Sequence, residues 1–180
     1  MKKIVNIVGM PGCGKSSTSC ELFVCLKKRH IETEYVNEFV KTLVWEEKFD
    51  IIDDQYYVAR KQYQIIKSVI DKVEVAICDS PLFISLFYNE HNTENVSNVE
   101  KTKNFILNKM KEFEENSYYI FIKRNNTFPY SNVGRIHGED EAKIINNKMK
   151  KLLDYHKIKY LEYCPGIDDI SKILKYVGYE

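Results

Sequence analysis

The stretch GMPGCGKSS, residues 9–17, places Gly9, Gly14, Lys15 and Ser16 at every specified position of the pattern G-x-x-x-x-G-K-[ST]. That spacing is suited to anion binding. Glycines accept positive φ and turn several backbone N–H groups into one cavity, and a helix starting directly afterwards adds its positive end. Pro11 has no N–H, so the donors are expected from Gly12, Cys13, Gly14, Lys15 and Ser16, with Ser17 on the same helical turn. Lys15 is placed to reach the β and γ phosphates of a nucleotide, and the Ser16 hydroxyl to hold Mg²⁺ between them. A purely structural turn is the competing use of such a stretch.

Further residues qualify for the same chemistry. Asp79 closes the run VEVAICD, where a strand end presents side chains to a ligand. It is the candidate for Mg²⁺ or its water shell, or else a cap for the helix after Pro81. Glu38, in YVNEF, is the candidate base for an acceptor hydroxyl, or a glutamate favoured by the dipole of a helix's first turn. Gln55, Ala59, Gln62, Ile66 and Val69 fall on one helical stripe with Arg60 and Tyr63 beside it. Amides in an otherwise apolar stripe could read a base edge, with Gln62 the candidate, or the stripe is a solvated helix shoulder.

Only four arginines occur, although the guanidinium fork suits phosphate best. Two of them, Arg124 and Arg135, lie in the polar run RNNTFPYSNVGRIHGED. A lid over residues 124–138 would let them neutralise charge on a transferring phosphoryl group while excluding water, with Gly134 and Gly138 permitting the movement. Two surface arginines in a flexible connection are the alternative. Trp45 is read as core or edge packing, KMKK at 148–151 as a solvated helix face, and His137 receives no role.

The elements around these residues alternate. KIVNIV (3–8) and VEVAICD (73–79) read as strands buried on both faces, with TEYV (33–36), SYYIFIK (117–123) and KYLEY (159–163) as further strands. Helical spacing of apolar residues marks 15–29, a run after Glu38, about 54–71, a helix from Pro81, about 99–115, 139–156 and about 168–177. Five β-then-α alternations predict a three-layer α/β unit with a parallel sheet, expected to be one domain over residues 1–180. Lys plus Arg number 27 against 26 Asp plus Glu, so no global field favours nucleic acid or an anionic membrane. Five cysteines without a CxxC pair, and no apolar run of spanning length, predict a reduced, cytoplasmic protein with no membrane partner.

Taken in order, GMPGCGKSS, EYVNEF, ICDSPLF and NVGRIHGEDEA resemble the P-loop nucleoside and nucleotide kinases over most of the chain. More narrowly, they resemble small AAA-domain kinases carried by bacteriophages and related to nicotinamide riboside kinase. The resemblance implies a five-stranded parallel sheet in the order 2-3-1-4-5, ATP and Mg²⁺ as donor system, and a lid bearing arginines. By motif position it puts phosphate on Gly12, Gly14, Lys15 and Ser16, metal on Asp79, and lid work on Arg124 and Arg135. Ser80 stands where many nucleoside kinases have an arginine, so Arg60 or a lid arginine would have to bind the acceptor in its place.

The function expected is phosphoryl transfer to a small nucleoside-like or nucleotide-like acceptor, with a homodimer compatible with it. The alternatives are a nucleic-acid acceptor, at a 5′ end or a hydroxymethylated base, and an ATPase without acceptor. A GTP switch is disfavoured, because neither NKMK run supplies the aspartate of N-K-x-D.

Overall fold

The computed structural model describes residues 2–126, 129–131, 133 and 137–179. Strands β1 (Lys3–Val8), β2 (Thr33–Val36), β3 (Val75–Cys78), β4 (Ser117–Ile122) and β5 (Tyr160–Tyr163) form one parallel sheet in the order β2-β3-β1-β4-β5. Both the order and the parallel pairing are those expected. The helices are α1 (Lys15–Lys28), α2 (Phe39–Trp45), α3 (Phe49–Asp53), α4 (Gln55–Ile70), α5 (Leu82–His91), α6 (Val99–Glu112), α7 (Glu139–Tyr155) and α8 (Ser171–Tyr176).

Side-chain alternation along β1 sorts the helices into two layers. Val5 and Ile7 pack with Leu22 and Leu26 of α1 and with Ile173 and Leu174 of α8. Ile4 and Val8 face the opposite layer, where Ile66 of α4, Leu86 of α5, Ile106 of α6 and Met149 of α7 close the core. Helix α5 is apolar on nearly every side and is buried from Leu82 through Phe87, as a helix enclosed by others must be.

Register then brings the site together. Asn6 and Val36 both pair with Cys78, so β2 and β3 end level with one another while β1 continues past them to Val8. The glycine loop, Glu38 and Asp79 leave those three strand ends and therefore open onto the same sheet edge.

The helix expected over FVKTLVWEE after Glu38 and the packing expected of Trp45 need correction. The helix after Glu38 ends at Trp45, and the chain turns at Glu47 (φ 56°) into the separate α3. Trp45 is 59% exposed, since α2 turns its buried face, Leu43, toward Ile52 and Val58 instead. The asparagines after His91 build a fixed turn: Asn95 Oδ1 accepts from Ser97 N at 3.0 Å, Asn95 Nδ2 donates to Asn89 O at 3.0 Å, and Asn89 Nδ2 donates to Val99 O at 2.9 Å. Among the described residues no helix is long and apolar enough to cross a membrane.

Candidate active site

The loop leaving β1 requires its glycines. Gly12 and Gly14 have φ of 78° and 101°, the left-handed region that L side chains seldom adopt. A Cβ on Gly9 would stand 2.8 Å from Cys13 Sγ and 3.0 Å from Ile122 O. Gly14 caps α1, and its carbonyl accepts the first intrahelical bond, from Thr18 N at 2.9 Å. The amides before Thr18 have no carbonyl ahead of them in the helix, and no acidic side chain occupies the first turn. Lys15 arches back over the loop, its Nζ donating to Gly9 O and Met10 O, both at 3.2 Å. Cys13 departs from expectation: its N–H closes the turn onto Met10 O at 3.4 Å, and its side chain is buried in the core, with the thiol pushed up by burial.

Behind Ser16 lies the expected carboxylate. Ser16 Oγ donates to Asp79 Oδ2 at 2.6 Å, and Tyr35 OH, from β2, donates to the same oxygen at 2.8 Å. Asp79 is 2% exposed, and its Oδ1 has no hydrogen-bond partner among the described residues. A buried carboxylate oxygen left bare is unfavourable until a cation or donor arrives. A hydroxyl beside a carboxylate suits Mg²⁺, which takes few protein oxygens and completes its shell with water and phosphate. No cluster of three or more His, Cys, Asp or Glu able to hold a metal occurs among the described residues. The helix-cap alternative for Asp79 is not realised, because α5 is capped at Pro81 without a side-chain bond. Tyr35 is a site residue that sequence reasoning misses; its only trace there is a tyrosine inside a strand that the fold sets beside β3. Burial first, then the Asp79 charge, pushes its phenol well up, so it remains a donor.

Glu38 is the N-cap of α2, yet its side chain makes no capping bond. Gln62 does that work from α4: its Oε1 accepts from Phe39 N at 3.0 Å and its Nε2 donates to Asn37 O at 3.2 Å. This corrects the base-edge reading of Gln62, whose amide is engaged at both ends and 2% exposed. It clamps the turn that carries Glu38. Burial pushes the Glu38 carboxyl up, opposed by the Lys15 charge and reinforced by Asp79.

A cleft of about 640 Å³ runs from the glycine loop past Glu38 to His91, within the range of small-ligand sites. Gly12, Gly14, Lys15, Ser16, Ser17 and Glu38 all line it, while Asp79 lies beneath. Its far half is walled by apolar side chains of α2 to α5.

The arginines are placed differently from expectation. Arg60 is exposed on α4 and does not line the cleft, because the buried stripe of that helix runs through Gln55, Val58, Ala59 and Gln62. Arg124 also lies outside the lining; its guanidinium pairs with Glu139 at the start of α7 and sits 5.3 Å from the centre of the Tyr130 ring. Arg135 and Gly134 lie outside the described residues. Among the described residues lysines line the cleft: Lys41, and Lys148 from the KMKK run read as a solvated face, stand there with Lys15. His137 stacks flat on Tyr88 at 5.8 Å and bonds Glu141 at 2.8 Å, a juxtaposition with no local signature.

A family model described as an AAA domain, AAA_28, matches residues 4–167. The chain belongs to the AAA_28 family. No curated protein sequence matches it. Among solved structures, this AAA_28 chain is similar to a NadR protein in complex with NR, at 16% identity and TM-score 0.75 over 99% of this chain and 52% of that one. It is also similar to a NadR protein in complex with NAD and AMP-PNP, at 15% identity and TM-score 0.73 over 99% and 50%. A third similar structure is the Bacillus subtilis YorR protein in complex with phosphorylated GDP, at 13% identity and TM-score 0.56 over 96% and 92%. The AAA_28 chain therefore spans about half the length of the NadR chains it matches. At these identities the likeness establishes the fold, a three-layer α/β unit on the five-stranded parallel sheet.

Proposed function

We propose that this AAA_28 protein is an ATP- and Mg²⁺-dependent phosphotransferase acting on a small nucleoside-like or nucleotide-like acceptor. The observation that carries the reading is the pairing of Ser16 with the buried Asp79, 2.6 Å apart beneath the glycine loop, with one carboxylate oxygen bare. The two fold neighbours solved in complex with AMP-PNP and with phosphorylated GDP support nucleotide binding by this fold.

Each residue then has a task. The loop amides and Lys15 hold the donor phosphates, and Ser16 and Asp79 would hold the metal. Mg²⁺, when bound, withdraws charge from the phosphate oxygens it touches and orients them. Tyr35 fixes the Asp79 carboxylate through Oδ2. Glu38, its turn clamped by Gln62, takes the proton from the acceptor hydroxyl as that oxygen attacks the γ-phosphorus in line. The bond to the β–γ bridging oxygen breaks, and ADP leaves. The charge balance, 27 cations against 26 anions, favours a small acceptor over a nucleic acid.

The test is transfer of label from γ-labelled ATP with Mg²⁺ to pooled nucleosides, deoxynucleoside monophosphates, nicotinamide riboside and oligonucleotides. Label is expected in a small nucleoside or nucleotide. Label found only in free phosphate would overturn the reading, and label in oligonucleotides would replace the acceptor class.

A further inference from the structure

Gln55, the first residue of α4, is 3% exposed and lines the cleft. Its Nε2 donates to Ile52 O at 2.7 Å. Only the NH₂ end of an amide can face a carbonyl oxygen so closely, so the orientation of the side chain is fixed by chemistry. That leaves Oε1 buried and without a hydrogen-bond partner among the described residues. The cleft that Gln55 lines carries apolar side chains, Val40, Val44, Ile52 and Val58 from α2 to α4 and Ile84 and Phe87 from α5, together with the polar Asp53, His91 and Asn92.

A buried acceptor without a donor is unfavourable until one reaches it, and apolar side chains such as Val44 and Phe87 bury the faces of a flat ring. Building on the phosphotransferase reading, we propose that the acceptor is a nucleoside whose ring enters this half of the cleft and donates an exocyclic amino or amide N–H to Gln55 Oε1. Gln62 differs, since each end of its amide already holds a hydrogen bond to the β2–α2 turn. Gln55 thus acts as the specificity-determining residue. A site that accepts a hydrogen bond discriminates against an analogue lacking the donor, because its own oxygen then stays bare.

Titration calorimetry on the protein loaded with AMP-PNP and Mg²⁺ tests this with matched pairs. These are adenosine against purine riboside, cytidine against pyrimidin-2-one riboside, and nicotinamide riboside against its N,N-dimethylamide. In the pair that binds, the donor-bearing member should be at least about 10-fold tighter. Gln55→Leu should abolish that ratio while leaving AMP-PNP affinity unchanged. Equal binding of both members by the wild type, binding of neither in every pair, or an unchanged ratio in Gln55→Leu would overturn the proposal. The wild-type comparison decides the matter even where Gln55→Leu fails to fold. Because calorimetry does not require turnover, an intact ratio without label transfer sinks only the phosphotransferase reading, and transfer without a ratio sinks only the role of Gln55.

Discussion

At one end of the cleft, Gly12, Gly14, Lys15 and Ser16 come from one contiguous stretch and face the ligand space with backbone amides, an ammonium and a hydroxyl. At the other, Val44, Ile52, Val58 and Phe87 come from four separate helices and present hydrocarbon, and Gln55, whose Oε1 is buried without a hydrogen-bond partner among the described residues, lines the same cleft. The first end recognises charge, so it needs strict backbone geometry and tolerates few residue types. The second recognises shape, so many apolar combinations would serve and a few polar atoms set the choice. Substitutions at the charged end should therefore act on catalysis for every acceptor, and those at the apolar end on which acceptor is taken.

The largest effect should come from Lys15→Ala. Removing the ammonium at the donor end is expected to lower transfer on the order of 10³-fold or more with any acceptor, read by release and transfer of γ-label. A variant that kept its rate with one acceptor and lost it with another would break the division between the two ends.

Glu38→Gln comes next, since Glu38 stands where the two ends meet. A rate loss of about 10²-fold is expected, with AMP-PNP affinity unchanged. Burial raises the Glu38 pKa, so the wild-type rate should climb with pH through a value above the ordinary carboxylate range, and the variant should lack that limb. Wild-type activity in Glu38→Gln would remove it as the base.

Tyr35→Phe tests the support beneath the donor end. It deletes the 2.8 Å bond to Asp79 Oδ2 without changing the ring. Outer partners of metal-binding carboxylates typically contribute 10–100-fold to metal affinity, so Mn²⁺ binding in the presence of AMP-PNP, followed by electron paramagnetic resonance, should weaken about 10-fold. Unchanged Mn²⁺ affinity would leave Tyr35 a packing residue.

The same contrast explains what can be read from the chain alone. The glycine loop is legible because its geometry is local: positive φ, a following helix and a buried strand all leave marks within about twenty residues. Strand order comes from the resemblance, and the β-then-α alternation agrees with it. Tyr35 and the Tyr88–His137 stack are not legible as site residues, because their roles depend on which distant element the fold lays beside them; of the two amides on the α4 stripe the sequence points to Gln62, and only the fold separates it from Gln55. Arg60 and Gln62 show the limit most directly. They are two residues apart on α4, and the difference between an exposed cation and a buried clamp is set by which side of that helix meets the β2–α2 turn. Arg124 reads as a catalytic arginine on charge alone, whereas its partner Glu139 is fifteen residues away and becomes a neighbour only when α7 docks.

The smallest effect expected runs in the opposite direction to the rest. With the Glu38 pKa raised by burial, the folded state holds the proton more tightly than the unfolded chain does. Its contribution to stability is therefore complete below the ordinary carboxylate pKa and is lost as pH rises through the raised value. Glu38→Gln is neutral at every pH and escapes that loss. It should melt higher than wild type at about pH 8, by on the order of 2 °C for a chain of this size, with the difference closing toward about pH 4. Thermal unfolding followed by circular dichroism at both pH values measures this directly. A variant that is slower in catalysis yet more stable identifies a residue held at a cost to folding because the reaction needs it there. If Glu38→Gln were instead less stable at high pH, the carboxylate would be a structural partner of Lys15, and the meeting point of the two ends would have to lie elsewhere in the cleft.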